Sequence, residues 1–153
     1  MLDFSQLWEQ ALPYDDFVAA SDLKHRGLWH GLHRLARIPA WAVAASAARG
    51  TSRVSGAGEL RVNESDRLAA LAANLSRLGI AVEESPDGLA ITGGRIRGGD
   101  LEASGDHRIA MALTLIATRA SEPVTISGAE GIPTSYPGFL DTLAALTDRP
   151  RRP

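Results

Sequence analysis

The stretch RVNESDRLAALAANLSRLGI, residues 61–80, decides how its surroundings are organised. Leu68, Leu71, Leu75 and Leu78 recur at three- and four-residue intervals, which puts them on one face of a helix. Gly79 then supplies the left-handed conformation that ends one. A helix running from Glu64 with one apolar face must bury that face, and its neighbours offer the means. TSRVSGA, residues 51–57, reads as a strand, and IAVEE and LAITG alternate around the turn sequence SPDG as a β-hairpin.

The same reading extends outward. Pro39 suits the first turn of a helix through AWAVAASAA, closed by Gly50. Downstream, the loop GGRIRGGD leads to a short strand and then to GDHRIAMALTLIATRA, apolar nearly all round from Ile109 to Ile116 and so expected to be buried. The glycine-rich loop lacks the Gly-Lys-Ser/Thr ending of a phosphate cradle and reads better as a hairpin connection. PVTISGA is a strand, EGIPTSYPG a loop, FLDTLAAL a last helix, and residues 148–153 a disordered tail.

A self-comparison adds an internal repeat. AASAARGTSRVSGAGEL, residues 44–60, recurs with small gaps as TLIATRASEPVTISGAEGI, residues 114–132, and a helix carrying Leu-Ala-Ala-Leu follows each copy. The repeated unit is helix, strand, Ser-Gly-Ala, loop, helix, which implies an α/β layered fold.

Composition bounds the function. A chain of 153 residues with 44% hydrophobic content can bury the core of one domain. A net charge of −2 provides no field to recruit nucleic acid or an anionic membrane. No apolar run is long enough to span a bilayer. The absence of cysteine excludes disulfides and thiolate chemistry. Residues 1–20 hold Asp3, Glu9, Asp15 and Asp16 but no basic residue, the reverse of a secretory signal, so a cytoplasmic location is expected.

All three tryptophans and three of four histidines lie within the first 41 residues. Residues 1–38 therefore read as an added segment, helical over 4–11 and 22–37. His25, His30 and His33 have no supporting acid or cysteine, and a zinc site there is not expected.

Two helix starts carry candidate chemistry. One holds Glu64, Asp66 and Arg67, the other Asp106, His107 and Arg108. The acids suit caps, and Asn63 with Asp66 resembles a capping box. The arginines do not suit: a guanidinium beside unpaired helix N–H groups is repelled by up to about 1 kcal/mol. Either each has a carboxylate partner, Glu64 for Arg67 and another acid for Arg108, or the two form a site for a ligand with two anionic groups. Glu64, on the face of Arg67, could then move protons at a reacting carbon.

Three segments together, LRVNESDRLAALAANLSRLGIAVEESPDGLAITG, GDHRIAMAL and PVTISGAEGIPTSYPGF, resemble the C-terminal part of the 5-enolpyruvylshikimate-3-phosphate (EPSP) synthase family. The resemblance implies an α/β (α+β) fold, a partial enolpyruvate transferase domain of βαβαββ-type repeats over residues 39–147. It implies transfer of the enolpyruvyl group of phosphoenolpyruvate to shikimate 3-phosphate, on the route to aromatic amino acids. Arg67 and Arg108 would grip phosphoenolpyruvate, Glu64 would transfer a proton at its methylene carbon, and Asp66, Asp106 and His107 would support them. No metal or organic cofactor is implied.

This sequence departs from the family pattern. Asn63 stands where a lysine usually contacts the shikimate ligand, Thr134 where some members have another lysine, and Ala36 where an aspartate acts on the attacking hydroxyl. The match covers roughly the last quarter of such a chain, too few repeats to close the usual domain. Turnover is therefore expected only if another chain supplies the N-terminal domain. The alternative is a remnant, or a fusion or frameshift product, serving as an anion-binding or interaction module.

Overall fold

The computed structural model describes residues 37–62 and 65–147. Outside the described residues lie the helices expected over 4–11 and 22–37 (apart from Arg37), the three N-terminal histidines, Ala36, Asn63, Glu64 and the tail. The elements run α1 (Ile38–Ala47), β1 (Thr51–Val54), a 3-10 turn (Gly58–Arg61), α2 (Arg67–Arg77), β2 (Ala81–Ser85), β3 (Gly88–Thr92), β4 (Gly99–Glu102), α3 (His107–Ala117), β5 (Val124–Ser127), α4 (Ile132–Ser135) and α5 (Phe139–Thr147).

Helix α2 is central. Leu68, Leu71, Leu75 and Leu78 are all completely buried, as their spacing requires. The helix begins at Arg67 rather than Glu64, because Asp66 takes the capping place and its side chain accepts the Ala69 N–H at 2.9 Å. Asp66 is thus the cap itself, not the third residue of a capping box opened by Asn63. At the other end the Ile80 N–H bonds to the Leu75 carbonyl and the Gly79 N–H to that of Ser76, both at 3.0 Å. With Gly79 at φ +80°, this is a Schellman ending.

Helices α1, α2 and α3 pack on one another. The expected hairpin forms, Ser85 pairing with Gly88 across its turn, and β1 joins β3 to give an antiparallel sheet ordered β1-β3-β2 against α1 and α2. Strands β4 and β5 form a second, parallel pair against α2 and α3. No residue of α3 is exposed, which agrees with its all-round apolar sequence.

The outer edge of β4 is closed by a side chain. The amide of Asn74, 2% exposed, donates to the Glu102 carbonyl and accepts the Glu102 N–H, both at 2.9 Å, as a neighbouring strand would.

GGRIRGGD connects the two sheets and is not a hairpin connection. Its first glycines close α1: the Gly94 N–H reaches the Ser46 carbonyl at 3.2 Å, and any Cβ on Gly93 would run into the Ala48 carbonyl. The stretch 130–138 contains the single helical turn α4 within the expected loop.

The two repeat copies match in detail. Gly56 and Gly128 take the same left-handed φ, +72° and +70°. In each copy the alanine after that glycine accepts an N–H from an aliphatic residue three further on, Leu60 at 3.0 Å and Ile132 at 3.2 Å. Both aliphatic side chains are buried. The sheets differ, since β1 pairs antiparallel and β5 parallel.

Candidate functional site

The first turns of α2 and α3 meet through one ion pair. Arg67 opens α2 and is 2% exposed; its Nε donates to Oδ2 of Asp106, itself 3% exposed, at 2.6 Å. The same oxygen accepts the Ser65 hydroxyl at 2.8 Å. The other oxygen, Oδ1, caps α3 by accepting the N–H groups of Arg108 at 2.9 Å and Ile109 at 3.3 Å. One carboxylate therefore serves both helix starts.

Burial alone would raise the Asp106 pKa. The hydrogen bonds from Ser65 and Arg67, the Arg67 charge and the Arg108 N–H outweigh it, so the carboxyl is held below its ordinary range. Asp106 is an anion, and Arg67 is its counter-charge.

This places the residues singled out above unequally. Arg67 and Asp106 are brought into contact, Asp66 caps the helix that Arg67 opens, and Glu64 lies outside the described residues. Arg67 has a carboxylate partner 39 residues away in Asp106. That role for Asp106 goes beyond support around Arg108. Arg108 and His107 are half-buried in the first turn of α3. Among the described residues, the Arg108 guanidinium makes no hydrogen bond or ion pair. His107 lies against Gly131 at the start of α4, whose Cβ, if present, would stand 3.6 Å from that of His107.

The loop entering α3 is held by a further carboxylate. Glu102 accepts the Ser104 N–H at 2.7 Å and the Ser127 hydroxyl at 2.6 Å, which lower its pKa. Strands β4 and β5 thus end side by side in loops at the α3 N-terminus, the end of parallel strands at which α/β proteins bind ligands. An open groove elsewhere, lined by Arg53, Val54, Glu83, Glu84 and Leu89 among others, contains none of the candidate residues. The carboxylate and guanidinium chemistry lies at the helix starts.

Arg61 was not singled out by the sequence reading. Its guanidinium donates to the Pro86 carbonyl at 2.9 Å, the Ser85 carbonyl at 2.6 Å and the Asp66 carboxylate at 2.9 Å, and pairs with Glu84 at 2.7 Å. The hydrogen-bond partners lie 25, 24 and 5 residues away, so no helical or strand spacing marks them.

The fold defines a layered α/β protein, with helices packed against two small sheets. The family model for EPSP synthase (3-phosphoshikimate 1-carboxyvinyltransferase) matches residues 33–143, and the chain belongs to the EPSP synthase family. It is 53% identical over 107 residues to the 3-phosphoshikimate 1-carboxyvinyltransferase of Xanthomonas campestris pv. campestris (strain 8004), covering 70% of this chain and 24% of the relative. The corresponding protein of Xanthomonas oryzae pv. oryzae (strain PXO99A) matches to the same extent. A 2.37 Å structure of EPSP synthase from Acinetobacter baumannii superposes with a TM-score of 0.70 at 39% identity, over 74% of this chain and 27% of that one. A second EPSP synthase structure from that organism gives 0.65 at 36% identity, over 72% and 26%. The chain spans about a quarter of the length of the curated relatives it matches.

Proposed function

We propose that this chain carries the phosphoenolpyruvate-binding part of an EPSP synthase site and turns over substrate in the cytoplasm only when the rest of that site is supplied. The observation that supports this reading is the contrast between the two helix-start arginines. Arg67 is fixed by a buried carboxylate, whereas the guanidinium of Arg108, half-buried one residue into α3, has no partner among the described residues. A preorganised arginine at one helix start and one with donors to spare at the other, the two starts joined through Asp106, suit a small ligand bearing a carboxylate and a phosphate.

In this reading Arg67 and Arg108 hold phosphoenolpyruvate. The attacking hydroxyl of shikimate 3-phosphate bonds through its oxygen to the enol carbon of phosphoenolpyruvate, giving up its proton to a base from the shikimate side of the site, while Glu64 delivers a proton to the methylene. Loss of phosphate with return of that proton then restores the vinyl group. Asp106 keeps Arg67 in place, and Asp66 and His107 complete the surroundings. Asn63 and Ala36 offer neither the lysine nor the aspartate that the family resemblance leads one to expect. The shikimate side of the reaction therefore depends on residues other than these two.

Calorimetric titration with phosphoenolpyruvate tests the reading, with Arg67→Ala and Arg108→Ala as controls. Binding that both substitutions weaken is expected; binding unchanged in both removes the assignment. A phosphate-release assay with both substrates, run with the chain alone and then mixed with a fragment supplying the N-terminal part of an EPSP synthase, tests the dependence on the rest of the site. Turnover by the chain alone contradicts it.

A further inference from the structure

We infer that Arg61 is a positioning residue for Arg67, coupling the tip of the β2–β3 hairpin to the first turn of α2. The consequence for ligand binding rests on the proposed role of Arg67. Arg61 spends its guanidinium on both sides of a junction. On the hairpin side it holds the Ser85 and Pro86 carbonyls and the Glu84 carboxylate. On the helix side it holds Oδ2 of Asp66 at 2.9 Å.

Asp66 divides its two oxygens between these tasks. Oδ1 caps α2 through the Ala69 N–H, while Oδ2 is held by Arg61. Its backbone carbonyl accepts the Ala70 N–H at 2.9 Å, so the residue is locked into the first turn. Arg67 is the next residue and makes the 2.6 Å contact with Asp106. A continuous series of contacts therefore runs from hairpin tip to Arg61, to Asp66, to Arg67, to the cap of α3.

Two physical effects follow. First, without Arg61 the Asp66 carboxylate can rotate off the cap, and the first turn of α2, Arg67 included, loses its outer anchor. Second, Arg61 neutralises an acid immediately beside the arginine proposed to take an anion; unneutralised, Asp66 would repel that ligand. Lysine cannot replace it, because a single ammonium lacks the planar fork that reaches two carbonyls and two carboxylates at once.

The test uses the full chain with 15N-labelled arginine. The Arg67 Nε–H resonance reports its bond to Asp106 without any ligand, and phosphoenolpyruvate titration reports affinity. Arg61→Ala is expected to shift or broaden that resonance and to weaken phosphoenolpyruvate by about tenfold, within the range that small misplacements cause. Arg61→Lys should not restore either. Asp66→Asn keeps a good cap but removes the charge that Arg61 holds, so it should shift the resonance too, and it serves if Arg61→Ala does not fold. Arg61→Ala in an Arg67→Ala background should weaken binding by less than it does in wild type, since the positioning effect is then absent and only the repulsion from Asp66 remains.

A wild-type Arg67 resonance in folded Arg61→Ala or Asp66→Asn overturns the inference, and so does an additive loss in the double variant. If wild-type chain does not bind phosphoenolpyruvate, the site reading fails, and the resonance still decides whether Arg61 positions Arg67.

Discussion

Arg67 and Asp106 lie 39 residues apart in sequence and 2.6 Å apart in the fold, and their ion pair joins the first turns of α2 and α3. Both side chains are almost fully buried, at 3% and 1% exposure. Breaking a buried pair from one side leaves an uncompensated charge, at a cost of about 3–5 kcal/mol. Asp106→Ala should therefore lower the urea-unfolding free energy by about that amount, the lost α3 cap adding to it. Asp106→Asn, which can still cap, should cost less.

The same pair predicts an acid dependence. The folded pKa of Asp106 lies below its unfolded value, so the unfolded state binds the proton more readily between the two. The stability that Asp106 contributes is then fully present above the unfolded value of about 3.9 and is lost as pH falls through the folded one. Unfolding free energies of wild type and Asp106→Asn should differ at neutral pH and converge as pH falls from the unfolded value through the lower folded one. A constant difference across that window would contradict the assignment.

Arg67 and Arg108 should separate stability from binding. Arg108 has no side-chain partner among the described residues, so Arg108→Ala should change stability by no more than about 0.5 kcal/mol while weakening phosphoenolpyruvate. Arg67→Ala should lower both, because it also strands Asp106. Thermal melts alongside the titrations distinguish the two.

Gly56 and Gly128 share one backbone conformation in unequal surroundings. A Cβ on Gly56 meets nothing within 4 Å, whereas on Gly128 it would stand 2.5 Å from the Glu102 carboxylate and 2.9 Å from the Ser104 nitrogen. Gly56→Ala should cost only the left-handed penalty, about 1–2 kcal/mol. Gly128→Ala should cost more and should displace the loop entering α3, readable as amide shifts at Ser104 and Gly105.

Asn74→Ala removes the side chain that closes the edge of β4. It leaves the Glu102 N–H and carbonyl without that partner, a loss of two hydrogen bonds worth about 0.5–1.5 kcal/mol each. It also exposes a strand edge, so concentration-dependent association by light scattering is expected to accompany the loss.

The sequence by itself determined what depends on near neighbours along the chain. The leucine spacing of α2, the SPDG hairpin, the all-round apolar α3 and the paired Ser-Gly-Ala units were all legible, because helical period, turn chemistry and a glycine's left-handed φ act over a few residues. The family was legible too, since its motifs are local strings. The start of α2 was misplaced by three residues because Glu64, Asp66 and Asn63 all suit a helix start, and only the Asp66 bond to Ala69 selects among them.

Only the tertiary structure decided who neutralises whom. One carboxylate partner of Arg67 is an acid beyond the hairpin and β4, and Arg61 and Asn74 find partners across element boundaries where no spacing rule applies. A guanidinium or a carboxylate can satisfy itself with any opposite charge that folding brings near, so its partner is a property of packing. The loop GGRIRGGD was misread as a hairpin connection for the same reason: its glycines answer to the Ala48 carbonyl and to the gap between two sheets, not to a local turn.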